Sequence, residues 1–198
     1  MEKVAIFDLD HTLLDTTGLR KEMLQILQGC GLTTAEAKSS LQDFMDNHEG
    51  NYDMLGHCEE LIKDKKISSL DKIHTFLSSS FEKHIIQDAK EVLRELKKRN
   101  YYLILLTKGI ERFQKTKLAQ TGLANLFDEI RIVAKFKEEA LETINVPAGS
   151  YFINDKREES ERVMRVHPHL KYILFGKTDA SETIIQITRL SELLDLLL

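Results

Sequence analysis

Two carboxylates, Asp8 and Asp10, flank a single leucine where the apolar run Val4–Phe7 ends, and Thr12 follows at the same spacing. Three more apolar runs end on groups able to do chemistry. Tyr101–Leu106 is followed by Thr107, Lys108 and Gly109. Ile130–Val133 is followed by Lys135 and Lys137. Tyr151–Ile153 is followed by Asn154 and Asp155, with Glu158 and Glu159 on the next turn. Carboxylates gathered at one place repel one another unless a cation joins them. Hard oxygen ligands with few nitrogens or sulfurs suit Mg2+, which keeps water and phosphate oxygens in its shell. A hydroxyl followed by glycine at a helix start offers donors to an anion. A lysine adds positive charge where phosphoryl oxygens would lie. A carboxylate bound to such a metal can act as a nucleophile, passing through an aspartyl-phosphate.

Bringing these groups together requires strands that end side by side. Continuous apolar runs with β-branched and aromatic content suit strands buried on both faces, and Tyr172–Phe175 and Ile184–Ile187 supply two more. Helical patterns lie between the runs. Asp88–Arg99 places Val92, Leu93 and Leu96 on one face and runs from acidic to basic, as the helix dipole favours; Glu111–Thr121 and Lys137–Asn145 are similar. The alternation predicts an α/β fold, a Rossmann-like parallel sheet with helices on both faces, which binds ligands at the carboxyl ends of its strands. From Thr17 to Ile86 no strand pattern occurs. Gly29–Gly31, Gly50-Asn51 and Ile67–Ser69 mark breaks between helices; Thr33 or Thr34 is expected to cap a helix to about Asn47, and Ser69 one to about Lys83. The expected organisation is a core of residues 1–15 and 88–198 with an all-helical insertion at 16–87.

Bulk properties narrow the function. With 42% hydrophobic and 30% charged residues, the chain suits a soluble domain with a real core. A net charge of −4 with no basic stripe argues against a nucleic-acid partner, and Lys63, Lys65 and Lys66, interrupted by Asp64, suit a solvated helix end. Cys30 and Cys58 fit no zinc or redox spacing. Without a secretory signal or an apolar stretch of ~18 residues, no membrane partner is expected, and the expected location is cytoplasmic. The absence of GxxxxGK[ST] disfavours a P-loop hydrolase.

The four stations together resemble the motifs of the haloacid dehalogenase-like hydrolase superfamily. "FDLDHTLLDT" resembles its first motif, DxDxT. "LLTKGIERFQKTKLAQTGLANLFDEI" resembles the second, "KEEALETI" the third and "FINDKREE" the fourth. The resemblance implies Asp8 as nucleophile and Asp10 as the acid that protonates the leaving oxygen and then activates water. It implies Mg2+ on Asp8, Asp155 and the main-chain carbonyl of Asp10. Thr107, with Lys108 and Gly109, would bind phosphate together with a motif lysine. That lysine is Lys137, which begins the pattern KxExLExI, or alternatively Lys135. Thr12, Asn154 and Glu159 would support the site. Dehalogenases and phosphonate hydrolases of the superfamily lack the second aspartate, so Asp10 favours phosphate esters. The implied activity is a Mg2+-dependent phosphomonoester hydrolase acting on a small phosphorylated metabolite. The alternatives are a phosphomutase or phosphotransferase on the same fold, or a non-catalytic phospho-acceptor or binding protein. The insertion sits where relatives place a helical cap of the C1 type, and Arg20 and Lys21 at its start are expected near substrate. Asn154 stands where relatives usually have glycine, and Lys108 where many have asparagine. His48, His57 and His74 suit surface or core positions, and the C-terminal LSELLDLLL suits a core helix.

Overall fold

The computed structural model describes residues 3–144, 146–176 and 184–197. Six strands form one sheet: β1 (Lys3–Phe7), β2 (Tyr101–Lys108), β3 (Glu129–Val133), β4 (Tyr151–Asn154), β5 (Lys171–Phe175) and β6 (Ile185–Ile187). Their order is β3-β2-β1-β4-β5-β6, and every pairing is parallel. Successive strand side chains point to opposite faces. Phe7, Leu103, Leu105 and Ile153 therefore join one apolar layer, while Ile6, Ile104, Leu106 and Phe152 join the other. Both layers are buried, which is why these strands are apolar throughout and do not alternate with polar residues. β3 is the exception: it is a sheet edge, Ile130 is partly exposed, and charged Glu129 and Arg131 lie among its residues.

Nine α-helices are described: α1 (Thr16–Gly29), α2 (Thr34–Asn47), α3 (Met54–Lys63), α4 (Asp71–Leu77), α5 (Ala89–Lys98), α6 (Glu111–Thr121), α7 (Lys137–Glu142), α8 (Arg157–Val166) and α9 (Leu193–Leu196). The first four occupy the segment between β1 and β2 that shows no strand pattern. Thr33 caps α2 through a capping box with Glu36. The helix expected from Ser69 to Lys83 is shorter. α4 ends at Leu77 because Ser78–Ser80 follow: the Ser79 hydroxyl bonds back to the Phe76 carbonyl at 2.7 Å, and the Ser80 hydroxyl accepts from Glu82 at 3.2 Å. A single 3-10 turn, Glu82–His84, then leads on. Asp88 does not cap α5 by its side chain; its backbone is left-handed, at φ 66°. α7 stops at Glu142, and Asn145 lies outside the described residues. In the C-terminal segment Leu190, Leu193 and Leu197 are buried, and Arg99 at the end of α5 donates to the Leu197 carbonyl at 3.2 Å. No helix among the described residues is long and apolar enough to cross a membrane.

Candidate active site

The strand order reverses at β1, so the carboxyl ends of β1, β2 and β4 frame one crevice. At its centre the Asp8 N–H donates to the Ile153 carbonyl at 2.9 Å, carrying the sheet pairing one residue past β1. The chain then turns tightly. The Leu9 carbonyl collects the N–H groups of Thr12, Leu13 and Leu14 at 3.3, 2.9 and 3.0 Å, and His11 takes φ 62°. Leu9 and Leu13 are fully buried and anchor the turn. The two aspartates consequently meet different partners.

Asp8 faces β4 and α7. Lys137 places its Nζ 2.6 Å from Asp8 Oδ1 and 2.9 Å from Glu159 Oε2, with Asn154 Oδ1 at 3.5 Å. All four residues are buried. Burial, with repulsion from Asp10 and Asp155, pushes the Asp8 carboxyl up to about 6 against the pull of Lys137. Burial works against the Lys137 cation too, but Asp8 and Glu159 outweigh it and raise its pKa. For Glu159 burial is again outweighed, by Lys137, and its carboxyl falls to about 2. Lys135, two residues away, is exposed and pairs with Glu49 at 2.9 Å. Of the two lysines the sequence leaves open, the structure brings Lys137 to Asp8.

Asp10 faces α6. Lys117 Nζ lies 2.7 and 3.0 Å from its two oxygens, Gln114 Nε2 donates to it at 2.9 Å, and the Thr16 hydroxyl donates a short hydrogen bond. Burial opposes the Asp10 anion, yet Lys117 and these hydrogen bonds hold its carboxyl below the usual carboxylate range. Gln114 also reaches the buried Thr107 hydroxyl and the Lys108 carbonyl, both at 2.8 Å. Its approach needs Gly109: a Cβ there would sit 3.0 Å from Gln114, and the glycine has φ 155°.

Gln114, Lys117 and Thr16 are contacts that the sequence reading does not identify. The available signal was polar residues three apart on the buried stripe of a helix, beside Phe113 and Leu118. The Thr12 hydroxyl is buried with no hydrogen-bond partner, as is Oδ1 of Asp155. Burial raises the Asp155 pKa.

A cavity of about 290 Å³ opens over these groups. Asp8, Asp10, Lys108, Gly109, Lys137 and Glu159 line its strand-end side; Thr107, Asn154 and Asp155 are not part of its wall. α1 contributes Thr16, Leu19, Arg20 and Met23 to the rest of the wall, the 3.6-residue repeat of one helical face that starts at Thr16 beside Asp10. Lys21 is off that face and exposed, so the structure brings Arg20 to the cavity and leaves Lys21 outside it.

A family model of haloacid dehalogenase-like hydrolases matches residues 5–146. The chain is 27% identical over 199 positions to the glyceraldehyde 3-phosphate phosphatase of Methanothermobacter thermautotrophicus, spanning 94% of this chain and 86% of that one. Among solved structures, a haloacid dehalogenase-like hydrolase of Burkholderia xenovorans LB400 is similar at TM-score 0.81 and 18% identity, covering 98% of this chain and 96% of that one. The hydrolase YfnB of Bacillus subtilis, in a magnesium-bound structure, is similar at TM-score 0.66 and 20% identity, covering 99% and 98%.

Proposed function

The chain belongs to the haloacid dehalogenase-like hydrolases, and from that premise we propose that it is a Mg2+-dependent phosphomonoester hydrolase acting on small phosphorylated metabolites through Asp8. The observation that carries this reading is the separate housing of the two aspartates. Asp8 is buried against Lys137, and Asp10 is held two residues on by Lys117, both at the wall of one cavity.

Asp8 would attack the phosphorus of a bound ester while the bond to the leaving oxygen breaks and Asp10 protonates that oxygen. Water would then attack the aspartyl-phosphate as Asp10 takes up its proton, releasing phosphate and restoring Asp8. Lys137 and Lys108, which line the cavity, would offset charge on the transferring phosphoryl group, where positioning and electrostatics do most of the work, with the Thr107 hydroxyl held behind the wall by Gln114. As an anion held by Lys117, Asp10 is in the state that activates water. As proton donor it would hold Lys117 less tightly and be free to turn to the leaving oxygen. The donor set fits a hard divalent ion. Asp155 Oδ1 is buried without a hydrogen-bond partner, and like charge from Asp155 raises the Asp8 carboxyl. Asp8, Asp155 and the Asp10 main-chain carbonyl would hold Mg2+, which when bound supplies positive charge to the phosphoryl oxygens. We read residues 16–87 as a cap over the core of 1–15 and 88–198, which would exclude water during transfer.

The test is phosphate release from p-nitrophenyl phosphate with and without Mg2+, run in ¹⁸O-labelled water. Metal-dependent release of phosphate carrying one solvent oxygen is expected. Transfer of the phosphoryl group to a sugar hydroxyl with no release would favour a transferase instead.

A further inference from the structure

The two sides of the cavity differ in how their charges are matched. Lys137 and Lys117 each face a carboxylate within 2.7 Å, and Lys156 lies 3.4 Å from Glu159. Two lining cations, Lys108 and Arg20, have no carboxylate partner among the described residues. Lys108 sits at the tip of β2, beside Thr107, where the proposed phosphoryl group would lie. Arg20 has no such use. It stands on α1 one helical turn after Thr16, and the cavity it lines is also lined by Leu19, Met23, Met45, Tyr52 and Phe113.

An unpaired guanidinium beside an apolar wall is matched by a ligand that brings its own oxyanion, because the planar fork binds carboxylate or phosphate through two hydrogen bonds. The cavity volume of about 290 Å³ lies at the lower end for small-molecule sites, which favours a compact ligand. Tyr52 and Phe113 meet edge to face, at 5.8 Å and 83°, and so offer no open parallel pair for a base to slide between.

We propose that Arg20 selects a compact phosphomonoester carrying a second anionic group at the end away from the phosphoryl, either a carboxylate or another phosphoryl. This deepens the phosphatase reading and rests on it for the orientation of the ligand.

The test uses phosphonates, which cannot be hydrolysed, so binding is read apart from turnover. Titration calorimetry of the wild-type protein with Mg2+ would compare 3-phosphonopropionate, propane-1,3-bisphosphonate and propylphosphonate. At least one of the two dianionic-ended probes is expected to bind about tenfold tighter than propylphosphonate, a free-energy gap of about 1.4 kcal/mol, and which one does so identifies the second group. In Arg20→Gln the gap should shrink to within about twofold, and Arg20→Lys should restore part of it. Arg20 is exposed, so a normal circular dichroism spectrum is expected for both variants. Equal binding of all three probes, no binding of any, or a preference that survives Arg20→Gln overturns the proposal. Turnover of p-nitrophenyl phosphate is measured separately. Selective binding without that turnover would remove the phosphatase reading and leave the Arg20 assignment standing; turnover without selectivity would do the reverse.

Discussion

The strand-end side of the cavity and the α1 side are built on opposite principles. At the strand ends every lysine that touches Asp8 or Asp10 is at least nine-tenths buried and paired with a carboxylate, Lys137 with two, so charge is fixed in place before any ligand arrives. On the α1 side the wall is mostly apolar, and its cation is exposed and unmatched. Buried, pre-paired charge suits chemistry that does not change from one ligand to the next. An open wall with a spare cation suits discrimination between ligands. Changes at the strand ends should therefore damage rate and stability, whereas changes on the α1 side should alter binding.

The largest effect is expected at Asp8. Asp8→Asn keeps the shape and a hydrogen-bonding oxygen near Lys137 but removes the nucleophile, so phosphate release should fall by roughly 10⁴-fold or more. The thermal midpoint should stay within a few degrees of wild type. Retention of more than a tenth of the activity would break the assignment of the strand ends to chemistry.

Lys137→Met comes next and sharpens the contrast, because it should cost both rate and stability. Removing one donor aimed at developing charge typically lowers the rate by roughly 10²- to 10³-fold. It also leaves Asp8 and Glu159 buried without their counter-charge, a change worth about 3–5 kcal/mol in denaturant unfolding. Arg20→Gln should move the same unfolding curve by about 0.5 kcal/mol at most. The acid side of the stability profile gives the sign. Glu159 has a folded pKa near 2, below its ordinary value of 4.5, so its contribution is present above 4.5 and is lost as pH falls toward 2. Asp8, raised from 3.8 to about 6, works the other way, and stability declines as pH rises through that window. Glu159→Gln should remove the first slope and leave the second.

Lys117→Met should have a smaller effect, confined to Asp10. The lysine is what outweighs burial there, so its loss lets the Asp10 carboxyl rise. Where water activation by the Asp10 anion limits turnover, the acid limb of the pH–rate profile should shift to higher pH. Gln114→Leu should shift it in the same direction by less, since it removes a neutral donor. An unmoved limb in both variants would detach Asp10 from the proton transfers proposed for it.

The same division explains what was legible in the sequence. β1, β2, β4 and β5 are continuous apolar runs because both sheet faces are covered, and the groups at their ends stand where such runs stop. Burial on two sides leaves a pattern that one dimension can hold. The edge strand β3 and the three-residue β6 are weaker signals for the same reason reversed, since each has fewer neighbours to bury it. The pattern KxExLExI pointed to Lys137 with Lys135 as the alternative, and packing of α7 is what turns Lys137 inward to Asp8. Gln114 and Lys117 showed only as polar residues on a helix stripe beside Phe113 and Leu118, with nothing to tie them to the site. Their partner, Asp10, lies more than a hundred positions earlier, and that proximity exists only once α6 packs beside the β1 turn. Within 16–87 the helix breaks were readable from glycine and serine, but which face of α1 meets the cavity was not.

The smallest effect is expected where the two sides touch. The segment Glu49–Asp53 joins α2 to α3 and is tied across to the other side. Asp53 accepts from Arg112 Nε of α6 at 2.9 Å, Asn51 donates to the Ala134 carbonyl at 3.2 Å, and Glu49 pairs with Lys135. Asp53 is buried, and it also caps α3 by accepting from Leu55 and Gly56 at 3.3 Å. Arg112→Ala should leave those cap bonds intact and remove the tie, loosening Asn51 and Tyr52 at the cavity wall. Because neither Arg112 nor Asp53 touches Asp8 or Asp10, kcat should hold while KM rises roughly two- to fivefold, the signature of lost uniform binding. Restoring KM with Arg112→Lys, which keeps the charge but not the fork, should be partial. An equal fall in kcat would mean that this tie positions the reacting groups themselves, and the line drawn between the two walls would have to move to include α6 on both sides.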